Sequence, residues 1–183
     1  MKITKIGVIL ASLVAFTSLS KAQLVTNFGA SANTNATTWV YTPATSSLSG
    51  TEASGDLLFN TNPILLNLTG FSEIRITANV TTAPGSGFNF ALQDGQGDEV
   101  QAAFSWASFI GGATITSALS TNVLFNYADV QGWNLVGGGS GAGIAATLTS
   151  ATAVIPEPST YALLALGLGS LVFFRMRSKR SSV

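Results

Sequence analysis

The chain has 183 residues, 46% of them hydrophobic and only 9% charged, with a formal net charge of zero, whereas an ordinary soluble domain carries about 25% charged residues. It contains neither cysteine nor histidine, which excludes disulfide staples, thiolate nucleophiles, Ser-His-Asp triads and sites built on thiolate or imidazole ligands. The charges are segregated: from Gln23 to Ala153 one base, Arg75, stands against seven acids, a net charge of −6. An acidic surface of this kind repels phosphate backbones, so no nucleic-acid partner is expected.

The first predicted element is a secretory signal helix over residues 1–22. Lys2 and Lys5 supply a positive start, and Ile6 to Phe16 form an apolar run of eleven residues. Ser20-Lys21-Ala22 then places small residues where a signal peptidase needs them, so cleavage is expected between Ala22 and Gln23. Eleven residues rise only about 16 Å as a helix against a hydrocarbon core of about 30 Å, which argues against a permanent N-terminal anchor.

Residues 23–153 read as one domain, large enough to hold its own core. Short strands are predicted at Thr37 to Thr42, Leu57 to Asn60 and Ile64 to Leu68. Period-two alternation follows: Ile74, Ile76, Ala78 and Val80; then Phe88, Phe90 and Leu92; then Val100, Ala102, Phe104 and Trp106; and finally Ile144, Ala146 and Leu148. Such alternation marks strands with one face on a core and one in solvent. Turn signals recur about every ten residues, at Pro84-Gly85-Ser86-Gly87, Asp94-Gly95-Gln96-Gly97, Gly111-Gly112 and Gly137 to Gly141. About nine strands with this punctuation predict an all-β, antiparallel two-sheet sandwich or jelly roll.

The segments Phe88 to Asp94, Ala103 to Trp106 and Asp129 to Leu135 give the body a pattern that resembles a carbohydrate-binding-like jelly roll of the galactose-binding type. The resemblance implies a sugar-binding role. Pyranose recognition needs a flat aromatic face flanked by amides or carboxylates. Trp39, Tyr41 and Trp133 are the candidates for such a ligand surface, whereas Trp106 shares the stripe of Val100 and Phe104 and reads as core. Asp94 and Asp98 flank a two-glycine turn and are weak candidates for Ca²⁺, since the same residues serve equally as a solvated hairpin tip. No other cofactor or metal is expected. The acids form no local constellation on one strand that would mark a glycosidase. Three Asn-X-Thr triplets, at Asn35, Asn67 and Asn79, are what chance gives in a threonine-rich chain.

The last 30 residues have three parts. Pro156, Glu157 and Pro158 hold the backbone extended and present the glutamate. Tyr161 to Phe174, including Leu164, Leu168, Phe173 and Phe174, is an uncharged, helix-prone run of fourteen residues. Arg175, Arg177, Lys179 and Arg180 then favour the cytoplasmic face, fixing the orientation of a single transmembrane helix. Fourteen residues span about 21 Å, a marginal anchor suited to a temporary hold. A plain single-span tail anchor with a proline-rich stalk shares this outline.

This layout over residues 154–183 resembles the PEP-CTERM sorting signal of Gram-negative bacteria that make exopolysaccharide. The resemblance implies recognition by an exosortase-like processing enzyme, after export by the Sec machinery and a transient stay in the inner membrane. The expected destination is the cell surface or extracellular matrix, with exopolysaccharide as a partner. A non-catalytic, carbohydrate-binding surface protein is therefore expected. The alternatives are a purely structural, self-associating matrix protein and a carboxylate-dependent polysaccharide-degrading enzyme.

Overall fold

The alternating stripes of residues 74–80 and 88–92 do become two neighbouring strands, but on opposite sheets. The computed structural model describes residues 22–30, 32–34 and 38–155. The expected signal helix over residues 1–21 lies outside the described residues. So do Pro156, Glu157 and Pro158 and the anchor residues Tyr161, Leu164, Leu168, Phe173, Phe174, Arg175 and Arg177. Among the described residues no helix is long and apolar enough to cross a membrane.

Eleven strands run in the order β1 (Ala22–Thr26), β2 (Ala32–Thr34), β3 (Trp39–Thr42), β4 (Ser47–Thr51), β5 (Ser54–Asn60), β6 (Glu73–Thr82), β7 (Gly87–Asp94), β8 (Glu99–Ser105), β9 (Ala113–Ala118), β10 (Val130–Gly138) and β11 (Gly143–Val154). Sheet A has the order β3-β4-β11-β6-β9, with β1 also paired to β11; sheet B has the order β2-β5-β10-β7-β8. All of the named strand pairings are antiparallel. The twelve residues of β11 organise sheet A: one edge pairs with β6, and the other pairs first with β4 and then with β1. Ala22 and Gln23, the expected cleavage pair, both lie in β1 opposite Val154 and Ala153.

Strand parity decides what fills the space between the sheets. Ile74, Ile76, Ala78 and Val80 of β6 face Phe88, Phe90 and Leu92 of β7 and Val100, Ala102 and Phe104 of β8 in one continuous core. Two aromatic groups dominate it. Trp133 stacks on Phe90 (5.7 Å between centroids) and meets Phe28 edge-on at 5.3 Å. Trp106 packs on Phe88 at 4.0 Å and edge-on against Trp39 at 6.3 Å. Burying each such ring contributes about 2–3 kcal/mol. That is how a domain without disulfides holds together.

Two expectations fail here. Ile64 to Leu68 is not a strand: Pro63 precedes it, Leu65 takes a left-handed φ of 40°, and it makes a single bridge, Leu66 to Val130, flanked by isolated bonds from Ile64 N to Gln131 O and from Leu68 N to Tyr127 O. Trp106 does not extend β8. The strand ends at Ser105, and Trp106–Phe109 form a 3-10 turn that still drives Trp106 and Phe109 inward.

The far end of the sandwich is closed by Glu52, which is fully buried. Its carboxylate accepts from Trp106 Nε1 (2.8 Å), Gly138 N (3.2 Å), Ser140 N (3.4 Å), Ser140 Oγ (3.0 Å) and Ser86 Oγ. With that many donors the buried charge is solvated by the protein itself. It ties the β6–β7 and β10–β11 turns to the core.

Candidate functional site

The outward face of sheet B is where small and polar residues gather. Gly132 and Asn134 of β10 point away from the core, because Trp133 and Leu135 between and beyond them point in. Asn134 sits opposite Phe59 of β5 on one side and Ala91 of β7 on the other; Ala91 in turn faces Gln101 of β8. The next row runs from Gly132 to Gln93 to Glu99. Ala91 and Asn134 are 0% and 7% exposed although they face outward, and Gly132 is buried as well. Short residues set among the longer Phe59, Gln93, Glu99 and Gln101 therefore form a shallow trough in the backbone surface, its middle shielded from solvent.

At one end the trough opens into a polar cleft of about 280 Å³ lined by Asn60, Thr61, Asn62, Pro63, Gln93, Asp94, Gln131 and Gly132. Glycine at 132 is what leaves this space. A Cβ there would lie 3.0 Å from Gln93 Oε1 and 3.5 Å from Asn60 Oδ1. The rim at Asn60 is fixed, since its Oδ1 accepts from the Trp133 amide at 2.7 Å.

Glu99 organises the polar groups of the trough. Its Oε1 accepts from Asn134 Nδ2 at 3.1 Å and from Gln93 Nε2, and its Oε2 accepts from Gln101 Nε2 at 3.3 Å. These bonds fix which way the amides face. The Asn134 carbonyl oxygen is left buried without a hydrogen-bond partner among the described residues. A buried acceptor of this kind costs about 1–3 kcal/mol until a donor reaches it. This row of sheet B thus holds amide and carboxylate groups in fixed orientations with Phe59 in register beside them, and no cation: Arg75, the one base of residues 22–155, is on sheet A beside Thr116.

The aromatic residues singled out by sequence lie elsewhere. Trp133 is 0% and Trp39 3% exposed, so neither presents a ring face to solvent. Trp39 shares its inward parity with Tyr41, while Val40 between them is 62% exposed; its ring occupies the room left by Gly137, whose Cβ would come within 2.7 Å of it. Tyr41 is half-buried and donates its hydroxyl to the Phe28 carbonyl at 2.7 Å, and burial raises its phenol above the ordinary value. It anchors Phe28, a buried residue with a φ of 63°.

Asp94 and Asp98 belong to one hairpin turn. Asp94 Oδ1 accepts the amides of Gln96 and Asp98, both at 2.9 Å, and Oδ2 accepts the amide of Asn126 at 2.8 Å. These bonds, chiefly that to Asn126, hold the Asp94 carboxyl below its ordinary pKa against the opposing effect of burial. Gly97, with φ of 88°, completes the hairpin tip. Among the described residues no group of three or more acids gathers to hold an ion.

The two sheets and their order define an antiparallel two-sheet β-sandwich. The xylan-binding module CBM15 superposes with a TM-score of 0.51 at 12% identity, over 75% of this chain and 98% of the module. A xylanase, Xylanase10C from Cellvibrio japonicus in complex with xylopentaose, matches with a TM-score of 0.51 at 11% identity, over 71% of this chain but 28% of the enzyme. An agarase, AgWH50C, matches with a TM-score of 0.53 at 9% identity, over 75% of this chain and 25% of the enzyme. At such identities the likeness establishes the fold, and the chain spans only about a quarter of either enzyme. No curated protein matches by sequence.

Beyond the sandwich, residues 154–180 match the PEP-CTERM protein-sorting motif. The chain carries that tag, which implies export and a membrane-anchored stage before cleavage.

Proposed function

We propose that this is a non-catalytic carbohydrate-binding protein, displayed at the cell surface or in the exopolysaccharide matrix after its C-terminal tag is processed by an exosortase-like enzyme. The trough on sheet B is its ligand site. The observation that carries this reading is the polar cleft of about 280 Å³ at Gly132, rimmed by the amides of Asn60, Asn62, Gln93 and Gln131, with Asn134 held by Glu99 in the adjoining position of β10. Sugar hydroxyls are donors as well as acceptors, and a row of fixed acceptors beside an apolar ring is what a pyranose edge and face require. The fold shared with a xylan-binding module supports the same assignment.

The charge pattern narrows the ligand to a neutral polysaccharide. A uronate or sulfate would approach Glu99 without a compensating base. Turnover is not proposed. A glycosidase works with two carboxylates on either side of the scissile bond, and of Asp94 and Glu99 the first is tied by three amides to its own turn and to Asn126.

Retention of the protein on neutral and on anionic polysaccharides tests the assignment. Neutral polymer should be retained, and Asn134→Ala and Phe59→Ala should each weaken retention at least tenfold, about 1.4 kcal/mol. Equal retention by both variants, or preference for the anionic polymer, would contradict it.

A further inference from the structure

The edges of the two sheets are not protected alike. An unpaired strand edge is a template for another chain, and proteins blunt it with short strands, bulges, prolines, charges or a covering segment. β2 has three residues, β1 carries a register shift between Leu24 and Thr26, and β3 runs directly into Pro43. The edge of β8 is covered by Ser120, whose amide donates to the Gln101 carbonyl at 2.7 Å and whose Oγ accepts the Gln101 amide at 2.9 Å. β9, Ala-Thr-Ile-Thr-Ser-Ala, has no proline, charge or register shift, and among the described residues no backbone group bonds to its outer edge. It lies in a run from Gly111 to Ala128 without a charged residue or a proline, and the same run carries the exposed Val123 and Leu124.

The hydrogen bonds that frame β9 say which backbone groups are free. Gly111 N donates to Val80 O and Leu119 N to Ser72 O, in the same register as the pairs Ala113 to Ala78 and Ala118 to Glu73. Odd-numbered residues therefore bond to β6, and Thr114, Thr116 and Ala118 turn their N–H and C=O groups to the open edge. The side chains of Thr114 and Thr116 are held on the solvent face, by Thr77 Oγ1 at 2.9 Å and Arg75 Nε at 3.3 Å. They do not fold over the edge.

We propose that β9 is a self-association edge, pairing antiparallel with β9 of a second copy of this chain about a two-fold axis at Ile115. In that register Thr114 and Thr116 exchange both backbone bonds across the axis, and Ala113 faces Ser117. The two half-buried Ile115 side chains meet as the non-hydrogen-bonded pair, where side chains come closest. The edge is self-complementary, as a closed two-fold interface demands. All seven acids of residues 23–153 lie outside the uncharged run, so no like charges oppose at the axis. The result joins sheet A of two molecules into one sheet and leaves the trough on sheet B open in both.

The chain has no cysteine, so a single introduced thiol reports the pairing. The Cα atoms of a non-hydrogen-bonded antiparallel pair are about 4.5 Å apart, within the range a disulfide spans. In the full-length protein with a mild oxidant, Ile115→Cys should form the disulfide-linked dimer at least tenfold faster than Thr147→Cys, placed on the exposed face of β11. Adding Thr116→Pro removes the edge-facing N–H, together with the hydroxyl that Arg75 bonds on the solvent face, and should abolish the difference, with thermal unfolding showing that both variants remain folded. Crosslinking of Ile115→Cys no faster than Thr147→Cys, or unchanged by Thr116→Pro, would overturn the proposal.

Discussion

Asn134 gives its amide hydrogen to Glu99 Oε1 across 3.1 Å, and its own carbonyl oxygen, buried at the floor of the trough, meets no donor among the described residues. The relationship fixes the amide's orientation. Were Asn134 flipped, its nitrogen would lose Glu99 and the two oxygens would face each other. Folded proteins rarely keep a buried acceptor unpaired without a use for it. Here Asn134 pairs with Phe59 and Ala91, two positions along β10 from the Gly132 that lines the cleft.

Two glycines of the same strand should separate binding from stability. Gly132→Ala places a methyl against Gln93 Oε1 at 3.0 Å on the open side, whereas Gly137→Ala drives one to 2.7 Å and 2.9 Å from the Trp39 ring. The first should cut polysaccharide binding at least tenfold with little change in stability. The second should cost about 1–3 kcal/mol through overpacking and leave binding intact. Urea unfolding and a binding titration on both variants check this.

Glu52→Ala should be among the most destabilising single changes outside the aromatic core. It strips acceptors from Trp106 Nε1, Ser140 and Gly138 at once, and unsatisfied buried donors cost about 1–3 kcal/mol each. A loss of about 3 kcal/mol or more is expected in urea unfolding. Glu52→Gln keeps one acceptor oxygen and should lose less.

Asp94 makes stability pH-dependent with a definite sign. Its folded-state pKa is depressed, chiefly by the Asn126 amide, so its contribution is fully present above the unfolded aspartate value of about 3.9. The contribution is lost as pH falls through the lower folded value. Wild type should therefore be more stable than Asp94→Asn at pH 7, with the gap narrowing as the pH is taken below about 4. Thermal unfolding across pH measures it.

The tag predicts a shortened mature protein. Intact-mass measurement of the protein from cells should show the chain ending near Pro156 to Pro158, without the apolar run and basic cluster of the matched motif. In cells lacking the processing enzyme the full C-terminus should persist.

Much of the architecture was legible in the residues. The stripes at Ile74 to Val80, Phe88 to Leu92 and Val100 to Phe104 are buried as their period-two spacing requires. β9 was not legible, because Ile115 is its one large apolar residue and a threonine-rich edge strand carries little alternation. The proposed trough carries little sequence signal for a related reason. Sugar chemistry directs attention to tryptophan, yet a tryptophan flanked in parity by Leu135 is a core residue, and Trp133→Ala reports on folding. The signal lay in the opposite parity, where Gly132 and Asn134 bracket Trp133. Phe59 gave no signal of its own, since only the register with Asn134 brings it to the same row.

The most direct test of a sugar-binding trough is an amide and side-chain NMR titration with a neutral oligosaccharide. Shifts should concentrate at Asn60, Gln93, Gly132 and Asn134, with the Asn134 side-chain amide among the largest, while Thr77, Thr116 and Thr147 on the outer face of sheet A stay still. Shifts on sheet A with sheet B unmoved, or none at any neutral sugar polymer, would contradict a ligand site built around Asn134.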